Sequence, residues 1–257
     1  MQELDDFEDG LIEAFKRHPV LAGVPRLPDA DFAALLLQRR FLSLAFTPAY
    51  DLAIDLLTDE SGLRIARTIL REEYPGSHGR TRSHREDMKE DLLRLGVPRQ
   101  ALVNTRPTPA TTAAITGTLD LIAEAGRAEH ADLRLLTILR FWGEILVSVE
   151  YERFWPRMEP LLTRDGKNHS CFYYPHLIHD AKAHPLATTS RLSASHSDRL
   201  GVRLSELLAR DGDTEGFRAV ERRAYLLRVD FYDQFSAMVP RPEEAVPSPT
   251  GGGAGRT

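Results

Sequence analysis

Cysteine is almost absent from these 257 residues: Cys171 stands alone. A single thiol excludes an intramolecular disulfide and any zinc site built on cysteine thiolates, and it fits an expected reducing, cytoplasmic location. A basic field is missing as well. The net charge is −5, from 33 Lys and Arg against 38 Asp and Glu. The signs are mixed along the chain, which argues against a nucleic-acid partner. No apolar run approaches the roughly 20 residues a membrane-spanning helix needs, so no membrane partner is expected. The opening residues, Met1-Gln2-Glu3-Leu4-Asp5-Asp6, are acidic rather than basic and then apolar, so no secretory leader is expected. Strand-period alternation and internal repeats are also lacking.

What is present reads as helix. Hydrophobic residues are 42% and charged residues 28%, ordinary for a globular chain. The length supports one large domain or at most two. Leu4, Phe7, Leu11, Ile12 and Phe15 repeat at helical spacing over 4–17, followed by a proline-containing loop from Val20 to Pro28. Asp29 or Asp31 caps a helix through Leu44, and Thr47-Pro48 breaks it. Helices follow at 49–57, 61–74 and 83–95, the last stopped by Gly96 and Pro98. A loop at 100–110 leads to a helix at 111–126 and a long helical pattern at 131–163. Beyond a polar loop from Ala187 to Ser197, helices are expected at 198–210 and 214–238. Residues 240–257 are mostly Pro, Gly, Ser and Thr with little apolar content, so a disordered tail is expected after a single domain at 1–239. The fold class is all-α, a bundle of about seven to nine helices.

The chemistry concentrates in Cys171 to Pro185. If this stretch continues as helix, His176, Asp180 and His184 share one face, a mixed nitrogen and oxygen donor set suited to iron, manganese or zinc. Bundles build metal sites from facing helices, so further ligands are sought elsewhere. Glu73, beside Glu72, ends an apolar helix, and His84 opens the next. Glu150 sits in an apolar frame, Leu146 to Val149, where an unpaired carboxylate would be costly; a metal ion or an arginine would compensate it. Glu144 competes with Glu150, and Glu72 with Glu73. His179 replaces a ligand if the register of its helix differs. His78, His130, His169 and His196 read as solvated loop or helix-end residues, and His18 as a loop residue. Trp142, Phe154, Trp155, Phe231 and Tyr232 read as core.

Together these residues resemble a family. The stretch Glu72-Glu73-Tyr74-Pro75-Gly76, then Arg82 to Met88 with His84, resembles the Glu…His helix pair of haem-oxygenase-like di-iron oxidases. Leu146 to Glu150 is similar to that family's mid-chain Glu after an aliphatic run. Phe172 to His184 is similar to its closing aromatic pair and His-x3-Asp-x2-His motif. The resemblance implies a haem-oxygenase-like bundle and two Fe(II) per chain held by Glu73, His84, Glu150, His176, Asp180 and His184. It also implies activation of O2 to oxidise an unactivated C–H bond of a small amino-acid-like substrate, by desaturation, cyclisation, cleavage or oxygenation, in natural-product biosynthesis. Related bundles often dimerise, so a homodimer is compatible. The chain departs from the pattern in three places. The closing motif and the Glu73–His84 gap are each about one residue longer, and Phe46-Thr47-Pro48 stands where some members carry a seventh ligand. A substrate carboxylate would be gripped by Arg40, Arg140 or Arg153. The alternatives are a metal-free helical binding protein, or a cofactor-independent enzyme on the same fold using Cys171, Glu or His.

Overall fold

The long pattern at 131–163 becomes a strut through the middle of the protein. Every residue from Leu135 to Tyr151 is buried, as expected for a helix wrapped by neighbours on all sides. The computed structural model describes residues 1–76, 82–188 and 195–240. The expected tail beyond Pro240 and His78 lie outside the described residues.

In chain order the helices are α1 (Gln2–Lys16), α2 (Pro19–Gly23), α3 (Asp29–Leu44), α4 (Phe46–Leu56), α5 (Glu60–Glu72), α6 (His84–Arg94), α7 (Arg99–Asn104) and α8 (Pro109–Ala125). They continue with α9 (Ala131–Ile138), a π-helical segment (Leu139–Ile145), α10 (Leu146–Leu162), α11 (Tyr173–His179), α12 (His196–Asp211) and α13 (Thr214–Asp233). Counting the strut once, nine of these helices among the described residues exceed ten residues. The all-α bundle expected from the sequence is therefore the fold observed.

Local chemistry sets the boundaries. Pro48 falls in the first turn of α4, where its missing N–H has no partner to lose. Ser83 and Glu86 form a reciprocal capping box that starts α6 at His84. The expected loops at 20–28 and 100–110 each contain a short helix, α2 and α7, seeded by proline at or just before the first turn. The strut runs through Pro156 and Pro160 to Leu162. One two-residue hairpin follows, pairing Thr163–Arg164 with Lys167–Asn168. Asp165 and Gly166 both have positive φ, the turn that an Asp-Gly pair favours.

Around the strut, α12 packs against the π segment and α5, α11 against α10, and α13 against α8, α9 and α1. Among the described residues no helix is long and apolar enough to cross a membrane.

Candidate metal centre

Three charged residues of the strut are buried: Arg140, Glu144 and Glu150. Each needs compensation, because an isolated buried charge is costly. Arg140 forms a two-pronged pair with Glu8 of α1. Glu150 accepts from Arg39 of α3 and from Arg228 of α13 at 2.9 Å. Glu144 has no arginine partner among the described residues. It faces Asp180 and His196 instead.

These residues belong to one cavity of about 550 Å³, lined by Glu73, His84, Glu144, His176, Asp180 and His196. The six side chains form two groups of potential metal donors, each with its donor atoms within 4.8 Å of one another. Glu73, His84 and His176 form the first; Glu144, Asp180 and His196 form the second.

In the first group, Glu73 caps the C-terminus of α5 and its Oε1 lies 2.8 Å from Nδ1 of His84. The rings of His84 and His176 sit 4.7 Å apart. Nδ1 of His176 donates to the Phe172 carbonyl at 2.7 Å, which fixes the tautomer and leaves Nε2 as the available donor. Burial and the neighbouring His84 push His176 well below its ordinary pKa, so it is a neutral imidazole. Burial opposes the charge on His84, but the Glu73 hydrogen bond holds that imidazole above its ordinary value.

In the second group, the His196 Nδ1 lies 3.3 Å from Glu144 and 3.6 Å from Asp180, and its Nε2 lies 3.1 Å from Glu72. Burial works against protonation of His196, yet Asp180 and Glu144 raise it to about 11. Burial and the Glu144 charge hold the Asp180 carboxyl well above its usual range. Two buried carboxylates thus share one imidazolium and a proton, and the Tyr50 hydroxyl donates to Glu144.

The π segment and Gly143 shape this end of the cavity. A Cβ at position 143 would come within 3.2 Å of the Tyr50 ring. Glycine there lets Tyr50 lie against the strut and reach Glu144. π turns are rare and recur at functional sites.

The structure brings together four of the six residues expected as ligands, Glu73, His84, His176 and Asp180. Glu150 does not join them, because its carboxylate is enclosed by Arg39 and Arg228. His184 does not either. Helix α11 ends at His179, and the residue before Pro185 is disfavoured in helix. His184 stands half exposed, with Nδ1 bonded to Asp198 at 2.6 Å. In their places stand Glu144 and His196. The expectation that His196 is solvated is corrected: it is 8% exposed. It lies four residues before Leu200 on the buried face of α12, a spacing that marks it as inward. His18 is also buried and caps α2 rather than lying free in a loop. His179 lines the cavity but belongs to neither donor group. Among the described residues the cavity's arginines are Arg39, Arg85 and Arg228, not Arg40, Arg140 or Arg153. Cys171 is outside the lining, near Arg94 and the His169 carbonyl.

One further residue positions the site. Asp91 of α6 is fully buried and accepts from Ser170 Oγ at 2.7 Å and from the backbone N–H groups of Cys171 and Phe172 at 3.0 and 2.9 Å. The helix that begins with His84 thereby anchors the start of the helix that carries His176.

Neither a family model nor a curated protein matches the chain. Several solved structures share its fold, two of them over almost the whole chain. A CADD-like protein of unknown function from Nostoc punctiforme is 14% identical with a TM-score of 0.62, over 93% of this chain and 99% of that one. A TenA family transcription regulator from a Silicibacter species is 16% identical with a TM-score of 0.58, over 93% and 96% of the two chains. At these identities the likeness carries the fold alone, an all-α helical bundle.

Proposed function

We propose that this chain is a non-haem di-iron enzyme that uses O2 to oxidise an unactivated C–H bond of a small amino-acid-like substrate. The observation that carries this reading is the presence of two three-residue donor groups in one cavity, made only of imidazoles and carboxylates. Such donors suit iron, and facing helices of a bundle are where paired carboxylate sites are built. The residues fit the group on a second count. Burial and Glu144 hold Asp180 well above the usual carboxylate range, and a cation between the two carboxylates would let both ionise.

In this reading Glu73, His84 and His176 hold one ion, and Glu144, Asp180 and His196 hold the other. Bound iron supplies the activation of O2, which the protein's side chains cannot perform. The remaining work belongs to the chain. The Phe172 carbonyl keeps Nε2 of His176 unprotonated, and the Tyr50 hydroxyl orients Glu144. Leu42, Phe46, Ile69, Met88, Trp142 and Val147 give the cavity an apolar wall that excludes water from the substrate.

The family resemblance supports desaturation, cyclisation, cleavage or oxygenation as outcomes, in natural-product biosynthesis. The test is aerobic turnover of an amino-acid panel by Fe(II)-loaded protein, read by mass spectrometry. Loss of two hydrogens or gain of one oxygen is expected for at least one substrate. No retention of iron, no oxygen consumption and no new product would sink the reading and favour a metal-free binding protein.

A further inference from the structure

We propose that the Arg39–Arg228 pair in the cavity wall is an anion anchor that takes the carboxylate of a substrate with an apolar body. The inference deepens the proposed oxidase reading and rests on it for the word substrate. Its basis is a charge imbalance. Arg39 and Arg228 are each 2% exposed, both line the cavity, and both contact the same carboxylate, Glu150, which is fully buried. Two guanidiniums therefore share one negative charge. Among the described residues neither has a second acidic partner. Arg39 spends another donor on Ser43 Oγ at 2.8 Å, and Arg228 one on the Trp142 carbonyl at 2.9 Å, but both acceptors are neutral. Nε of Arg228 is buried and has no hydrogen-bond partner among the described residues. A buried excess cation with an unused donor is expensive, and an incoming carboxylate removes the expense with charge-assisted hydrogen bonds.

The cavity's layout fits such a ligand. Arg228 lies over the Trp142 ring at 5.4 Å, Trp142 stacks on Phe46, Phe46 on Tyr50, and Tyr50 donates to Glu144. An aromatic wall thus runs between the guanidiniums and the carboxylates of the donor groups. A molecule with its anionic end at Arg39 and Arg228 would lay its apolar body along this wall toward the metal-donor end. The competing anchor is Arg85, which also lines the cavity but is exposed at its rim, where an anion is held against water.

The experiment is calorimetric titration of the full chain with octanoate, octyl phosphate, 1-octanol and octylamine, with and without Fe(II) under anaerobic conditions. Octanoate is expected to bind at least about tenfold more tightly than 1-octanol, and octylamine more weakly than either. Octyl phosphate binding more tightly than octanoate would overturn the carboxylate assignment. Glu150→Gln frees both guanidiniums, so octanoate affinity should rise about tenfold while 1-octanol stays unchanged. A site that is merely structural would lose affinity for both probes. Arg228→Lys keeps the charge but loses the planar fork, and should weaken octanoate alone; it is the second variant if Glu150→Gln does not fold. Arg85→Gln should leave octanoate binding unchanged. Loss of octanoate selectivity in Arg85→Gln, or octanoate binding that appears only with iron and ignores Glu150→Gln and Arg228→Lys, overturns the anchor. A chain that takes up no iron but discriminates octanoate through Arg228 keeps the anchor and refutes the di-iron reading instead.

Discussion

Glu144 and Glu150 are six residues apart on the same buried strut, yet their surroundings ask opposite things of them. Glu150 neutralises Arg39 and Arg228, so removing its charge strands two buried cations. Breaking a buried pair in this way costs about 3–5 kcal/mol. Glu144 shares the His196 imidazolium with a second carboxylate, Asp180; when Glu144 loses its charge Asp180 can ionise in its place, and a Gln side chain still accepts from Tyr50. The same chemical change should therefore give opposite results. Glu150→Gln is expected to lower stability by about that amount in urea denaturation, and Glu144→Gln to leave it unchanged or raise it. Equal destabilisation by the two would contradict this division of roles. In sequence, the apolar frame of Glu150 favours it over Glu144 as the mid-chain ligand. That frame says nothing of their partners, which come from α3, α13, α11 and α12, and such pairings are tertiary facts.

At the scale of elements, four of the six donor residues sit at helix ends: Glu73, His84, Asp180 and His196. Helical periodicity speaks to helix interiors, and this is why His176 with Asp180 was legible four residues apart while the third member of the stripe was not. Extending that stripe to His184 ignored Pro185. His196, first residue of α12, looked like a polar helix end, and only its spacing to Leu200 pointed inward. The π segment left no signal that a search for a 3.6-residue period detects. The general architecture was legible because each long helix carries its own apolar face and its own cap or stop. Asp91 illustrates what is legible only in three dimensions, one carboxylate of α6 collecting the start of α11. Asp91→Ala should cost about 1–3 kcal/mol, since several buried donors lose their acceptor. It should also weaken iron binding by freeing the turn that aims His176. An unchanged melting temperature with full iron retention would show that α11 is held by its apolar contacts alone.

Across the whole molecule, a second buried ionic network ties the chain's first helix to the metal-donor end. Glu8 of α1 pairs with Arg140 of the strut and with Lys182, just after Asp180, at 2.7 Å. Arg140 also donates to the Ser197 carbonyl beside His196. Burial opposes the charge on Glu8, but Arg140 and Lys182 lower its pKa to about 2. Its neighbour Glu221 goes the other way, with burial and the Glu8 charge raising it well above the usual range. The consequences have opposite signs. Glu8, depressed in the folded state, adds stability above about pH 4.5 that is lost as pH falls toward 2. Glu221, raised in the folded state, adds stability that is full below about pH 4.5 and declines as pH rises, by up to about 1.4 kcal/mol per unit. Glu221→Gln mimics the neutral acid at every pH. It should raise the melting temperature at pH 8 and make little difference at pH 5; a gain of equal size at both would show that the Glu221 proton is not involved.

If the two donor groups are metal sites completed by Glu144 and His196, the chain holds two irons and loses one when either residue is replaced. Anaerobic titration with Fe(II), followed by removal of loose metal and counting of retained iron by elemental mass spectrometry, tests it most directly. About two irons per chain are predicted for the parent, as for paired-carboxylate bundle sites. About one or fewer is predicted for Glu144→Gln and for His196→Ala, while His184→Ala should match the parent. Saturation of the parent at one iron or none, or full retention in both Glu144→Gln and His196→Ala, would contradict the account.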